Sequence, residues 1–173
     1  RVCARNARQT RALSVGHNPG TMNESAHANE TPGSPLIGTI QRDVTWGDCD
    51  PAGIIYYPTY FRWIDAGTWN LFFLAGLMPA KLRAEFPGMD MPAVASSLEF
   101  RNPAPFGAKA EVRSSVEHWG GKSVRVRHEI VRADGAQLAS GSETRAWVEI
   151  TPAAGLRARG LPDALKQRFF NPR

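Results

Sequence analysis

Trp46-Gly47-Asp48-Cys49-Asp50-Pro51-Ala52-Gly53-Ile54-Ile55-Tyr56-Tyr57-Pro58 is the stretch on which the reading of the whole chain turns. Asp48, Asp50, Pro51 and Gly53 make a short loop, and Pro58 stands where a proline is tolerated in the first turn of a helix. The residues that follow, Thr59 to Ala75, carry Tyr60, Phe61, Trp63, Ile64, Trp69, Leu71, Phe72, Phe73 and Leu74 around most of a helical circumference. A helix that is apolar nearly all round is a buried one, and Gly76 is placed to close it. A carboxylate beside the N-terminus of such a helix meets N–H groups without intrahelical acceptors and the positive end of the dipole. That setting suits polarising and attacking a carbonyl.

Upstream, Ile40, Val44 and Trp46 alternate with Gln41, Asp43 and Thr45, the pattern of a strand with one buried face. Residues 1–35 differ. They are rich in Asn, Thr, Ser, Gly and Pro, and no apolar residue recurs at helix or strand spacing. They read as a disordered or non-native N-terminal extension, with Met22 as the natural start. Arg1, Arg5, Arg8 and Arg11, with no acidic residue before Glu24, superficially resemble a transit peptide. Residues 36–173 form the single domain.

Downstream, Met78–Asp90 reads as a short helical turn and loop, and after Met91 the period switches to two. Val94, Ser96, Leu98 and Phe100 share one face of a strand that ends at the Asn102–Pro105 loop. Ala110, Val112, Ser114 and Val116 share a face of the next. Gly120-Gly121 is a hairpin signal. Val124, Val126, His128 and Ile130 follow, then the Asp134-Gly135 turn and a long strand from Leu138 to Ile150. Leu161 to Phe170 reads as a short C-terminal helix. The order is strand, long buried helix, then four antiparallel strands, so the sheet must curl around the helix. It leaves an exposed edge and a half-covered face, which pairing of two copies would cover. A homo-oligomer is expected.

Composition bounds the function. The chain has 173 residues, 42% of them hydrophobic, enough for one core. No apolar run approaches the roughly 18–20 residues that span a membrane, so a soluble protein is expected. Cys3 and Cys49 do not make a disulfide framework, and His17, His27, His118 and His128 lie at no metal-ligand spacing. A cytoplasmic setting, no metal and no membrane partner are the expectations. The net charge of +5 is spread rather than clustered, which argues against nucleic acid. There is no Gly-rich phosphate loop.

The loop, continued through Tyr60, Arg62-Trp63 and Asp65-Ala66, resembles the signature of hotdog-fold acyl-CoA thioesterases, and most closely the 4-hydroxybenzoyl-CoA thioesterase family. The resemblance covers about Ile40 to Leu161. It implies an α+β hotdog fold, a five-stranded antiparallel sheet curled around one long buried helix, assembled as a dimer or a dimer of dimers (a homotetramer). It implies an acyl-CoA substrate with no separate cofactor, CoA being part of the substrate.

The resemblance also assigns roles. Asp50 is the catalytic carboxylate, attacking the thioester or activating water, and the backbone N–H of Tyr57 polarises the carbonyl. Taken from the residues alone, Asp48 and Asp50 read as turn and cap residues, and Asp48 is assigned to loop structure. Cys49 reads as a small buried residue, and Tyr56 and Tyr60 as ordinary aromatics. Asp65, in mid-helix, reads either as a solvated partner of Arg62 or as a carboxylate that accepts a hydrogen bond from a substrate's phenolic hydroxyl, as the resemblance implies. Lys122, in the Trp119–Ser123 turn, matches a coenzyme-binding lysine. Gly120 and Gly121 replace two arginines that precede it in the hydroxybenzoyl enzyme, for which Arg125 or Arg127 could substitute. His118 and His128 read as structural or surface residues. The expected reaction is hydrolysis of an aromatic, hydroxybenzoyl-type acyl-CoA. A short-chain aliphatic acyl-CoA substrate and a non-catalytic acyl-CoA-binding protein are the alternatives.

Overall fold

A computed structural model describes residues 31–151 and 155–171. The expectation for the N-terminal extension therefore falls largely outside the described residues. The last part of that segment lies on the domain: β1 (Thr31–Pro32) pairs with the end of the strand Lys109–Trp119, and the Ser34 hydroxyl donates to the Phe169 carbonyl at 2.6 Å.

The main sheet is antiparallel and runs β2 (Ile37–Asp43), β5 (Lys109–Trp119), β6 (Ser123–Arg132), β7 (Gln137–Ala146), β4 (Ala93–Phe100), with β1 sharing the β2 edge of β5. The helix α1 (Tyr57–Leu74) packs on one face of it, as expected of a hotdog fold. The period-two pattern decides which face: Ala110, Val112, Ser114 and Val116 on β5 and Val124, Val126, His128 and Ile130 on β6 are all buried. Pro58 sits in the first turn of α1, as its fixed φ favours. At the other end the N–H of Gly76 donates to the Phe73 carbonyl and that of Leu77 to Phe72, both at 2.8 Å, a paired closure of the last turn.

Two features depart from the periodicity. The long strand expected from Leu138 to Ile150 is broken at Trp147, whose N–H turns to the Lys122 carbonyl at 2.8 Å. Val148–Thr151 (β8) then joins β3 (Met89–Asp90) and β9 (Gly155–Ala158) in a separate three-stranded sheet. Helix α1 is also less enclosed than its composition suggests. Thr59, Tyr60, Trp63, Ile64, Gly67, Thr68, Leu71 and Phe72 are buried, but Phe73 is 56% exposed and Tyr57 59%. The uncovered side faces away from the sheet of this single chain.

The core falls into two clusters along α1. One, around Trp63, Ile64, Val112, Ile130 and Leu138, supports the loop. The other, around Leu71, Phe72, Trp119 and Phe169, is closed by α2 (Pro79–Glu85) and α3 (Asp163–Phe170). Gly67 marks the passage between them. A Cβ there would stand 2.4 Å from the Ser114 hydroxyl and 3.2 Å from Val112 Cγ1, so only glycine lets helix and sheet approach this closely.

Candidate active site

The loop is held from both sides. Trp46–Asp48 form a single 3-10 turn, after which Cys49 bridges to Ile55 and Ile54 to Pro105. Asp48 is consumed by this architecture. One carboxylate oxygen accepts the N–H and hydroxyl of Thr45 at 3.0 and 2.5 Å, the other accepts Arg62 Nη2 at 3.3 Å, and its carbonyl accepts the Tyr56 N–H at 2.8 Å. Asp50 has its backbone N–H on the Ile54 carbonyl at 2.9 Å. Its Oδ1 accepts the Ala52 N–H at 2.8 Å, which fixes the direction in which the carboxyl points. Gly53, at φ +75°, turns the chain back with nothing within 4 Å of where a Cβ would stand. Cys49 is half-buried, with its thiol 3.5 Å from the Thr45 carbonyl.

Asp50, Ile54, Ile55, Tyr57, Tyr60, Phe100, Arg101, Asn102 and Pro103 line one cavity of about 310 Å³. Tyr57 is the first residue of α1, and an N–H at that position has no acceptor inside the helix. Tyr60 packs against Trp63 and Phe100, with ring centroids 5.7 and 5.3 Å away. Burial pushes its phenol up to about 12, so it stays neutral at physiological pH. The cavity thus combines a carboxylate, the first N–H of a helix and aromatic walls. That is a combination for an acyl carbonyl with an apolar body.

Farther along α1 a chain of buried polar groups crosses from sheet to helix. The Ser114 hydroxyl lies 2.9 Å from His128 Nδ1, and His128 Nε2 lies 3.4 Å from the Thr68 hydroxyl. Thr68 donates to Glu143 Oε1 at 3.0 Å, which also accepts Arg145 Nε at 2.6 Å. Arg145 Nη1 donates to the Met91 carbonyl at 3.0 Å, and Nη2 donates to Asp65 Oδ1. The guanidinium also lies 5.1 Å from the centre of the Trp69 ring. His128 is held down to about 4 by burial and by the nearby charge of Arg145. It is a neutral imidazole, and one tautomer satisfies every member: Ser114 donates to Nδ1, and Nε2–H donates to Thr68.

Residues 44–169 match the family model described as the Thioesterase-like superfamily. The chain belongs to that superfamily. It is a hotdog-fold family of acyl-CoA thioester hydrolases. One relative, the 4-hydroxybenzoyl-CoA thioesterase of Pseudomonas sp. (strain CBS-3), is 34% identical over 95 residues, 54% of this chain and 67% of that one. The solved structure of a mutant 4-hydroxybenzoyl CoA thioesterase complexed with 4-hydroxybenzoyl CoA is similar with TM-score 0.70 at 28% identity, covering 77% of this chain and 98% of the other. A gentisyl-coenzyme A thioesterase gives TM-score 0.65 at 26% identity, covering 74% and 98%.

Of the residues singled out in this thioesterase, Asp50 and Tyr57 line the same cavity, whereas Asp65 and Lys122 do not. Asp65 is paired with Arg145, eighty positions away in sequence, and Arg62 turns instead to Asp48 and Thr59. Lys122 is exposed on its turn, which is tied down by Trp147 and by Leu161, whose N–H donates to the Gly121 carbonyl at 2.9 Å. Sequence reasoning missed Phe100 and Arg101 as cavity residues. The signal for Phe100 was its place on the strand face from Val94 to Phe100, and Arg101 carried none. It also missed Glu143 and Arg145, which looked like ordinary members of an alternating strand. Among the described residues no helix is long and apolar enough to cross a membrane, and no group of three or more His, Cys, Asp or Glu could hold a metal ion.

Proposed function

We propose that this thioesterase is a cytoplasmic enzyme that hydrolyses an aromatic, hydroxybenzoyl-type acyl-CoA to the free acid and CoA. The observation that carries this reading is the cavity in which Asp50 and the start of α1 meet under the rings of Tyr60 and Phe100. At about 310 Å³ it lies at the small end of ligand pockets, the scale of one ring rather than a long chain. Both the relative and the complexed neighbour carry 4-hydroxybenzoyl-CoA in their names.

In this mechanism the thioester carbonyl oxygen accepts the Tyr57 N–H, with the helix dipole behind it. Asp50 either attacks the carbonyl carbon, giving a mixed anhydride that water then cleaves, or takes a proton from the attacking water. In both routes the C–S bond breaks and CoA leaves as the thiol. Asp65 accepts a hydrogen bond from the ring hydroxyl, and Lys122 meets the coenzyme phosphates. Asp65 lies outside the cavity that holds Asp50 and Tyr57 in its own chain. A substrate touching both therefore bridges two copies, paired through the uncovered edge of β4 as a dimer or within a dimer of dimers.

A panel of acyl-CoA substrates with detection of the released thiol tests the reading. Faster cleavage of 4-hydroxybenzoyl-CoA than of butyryl-CoA is expected. Much faster cleavage of butyryl-CoA would end the aromatic assignment, and binding without turnover of any substrate would end the enzymatic one.

A further inference from the structure

The buried polar chain ends at Asp65, and its chemistry says what Asp65 can recognise. Arg145 is 4% exposed and Glu143 3%, and the two are in direct contact, so their charges cancel inside the protein. His128 is neutral. The charge left over in the cluster is that of Asp65, whose side chain is 53% exposed. The Arg145 guanidinium is a fixed bracket. Its Nε, Nη1 and Nη2 are each bound to a different acceptor, and Trp69 lies close by. It donates to one oxygen of Asp65 and so fixes where the second oxygen, a hydrogen-bond acceptor, stands.

We infer that Arg145 is a positioning residue for acyl-group selection. By fixing Asp65 as a placed acceptor it makes the enzyme prefer acyl groups that end in a neutral hydroxyl donor, over those with no donor and over those ending in a second carboxylate. This rests on the proposed contact between Asp65 and the ring hydroxyl and adds the residue that sets it. A hydroxyl pairs with a fixed acceptor, a bare ring leaves that acceptor unpaired, and a carboxylate meets a like charge. The remaining members act behind Arg145: His128 orients Thr68, Thr68 holds Glu143, and Glu143 aims the guanidinium.

The test compares kcat/KM for 4-hydroxybenzoyl-, benzoyl- and 4-carboxybenzoyl-CoA in the wild type, Arg145→Lys and Asp65→Glu. Lysine keeps the charge but cannot hold three acceptors at fixed angles. Glutamate keeps the charge but moves the acceptor, at a half-exposed site where folding is not threatened. The wild type should prefer the hydroxylated substrate over both others. Each variant should lower the hydroxybenzoyl-to-benzoyl ratio about tenfold, the scale of one hydrogen bond to a charged group. If the wild type shows the preference but either folded variant leaves the ratio unchanged, whatever happens to the absolute rates, Arg145 and Asp65 are only a structural pair and the inference is overturned. Should Arg145→Lys fail to fold, Asp65→Glu alone decides by the same ratio. A wild type that does not favour the hydroxylated ring removes the underlying substrate reading, and the inference with it.

Discussion

His128 shows how one residue couples the core to the medium. Its imidazole is fully buried between Ser114 and Thr68, with Glu143 and Arg145 as the charged groups near it, and is held at about 4 against an ordinary 6.5. The folded state binds the proton less readily than the unfolded chain. The favourable contribution is therefore complete above about pH 6.5 and is lost as pH falls from there toward 4. Integrated over that interval the loss is about 3 kcal/mol. Urea denaturation at pH 7.5 and pH 4.5 should show the wild type losing more stability than His128→Gln, which cannot take up the proton. Equal losses would mean that His128 does not titrate on unfolding. At Asp65 the residue scale explains why sequence reading stopped short. Its partner Arg145 is eighty positions away, and no local spacing connects them.

The element that organises the fold is α1, and its contact with the sheet depends on one position. In a free helix Gly67→Ala would stabilise by about 1 kcal/mol through propensity. Here the added methyl would displace the Ser114 hydroxyl from His128 and press on Val112, at a cost of about 1–3 kcal/mol. The expected net result is a destabilised protein, measured by urea denaturation at neutral pH, with part of the loss recovered when Ser114→Ala is added. A stabilised Gly67→Ala would show that helix and sheet are not in close contact there. The elements themselves were largely legible. A long segment apolar nearly all round marked α1, a two-residue period marked β4 to β7, and Pro58 and Gly76 marked the helix ends. The break at Trp147 was not, because alternation continues across it while the backbone leaves for another sheet. In the site, Asp50 and Tyr57 could be read together because one loop carries both. Phe100 ends β4 and Arg101 follows it, far along the chain from the loop, and they join the site only through the fold.

Taken whole, the single chain leaves apolar surface that its own packing does not explain. On β4 every residue is exposed except Leu98, which is half-buried, and Val94 is 60% exposed. A long uncovered edge of this kind invites another strand, and the proposed pairing of two copies along it would cover the edge. Val94→Asp should then shift the protein toward monomer in sedimentation velocity and lower turnover with it, because two chains complete the proposed site. An unchanged sedimentation coefficient would place the interface elsewhere. On the proposed reading the paired chains cleave an acyl thioester with the carboxylate of Asp50. Asp50→Asn preserves the side chain's shape and an oxygen to accept the Ala52 N–H, so the loop should keep its form while the nucleophile or base is lost. Single-turnover release of CoA from 4-hydroxybenzoyl-CoA, followed by thiol detection, tests this directly. The expected result is a loss of at least ~10²-fold in rate with substrate binding retained, and equal rates in the two proteins would contradict it.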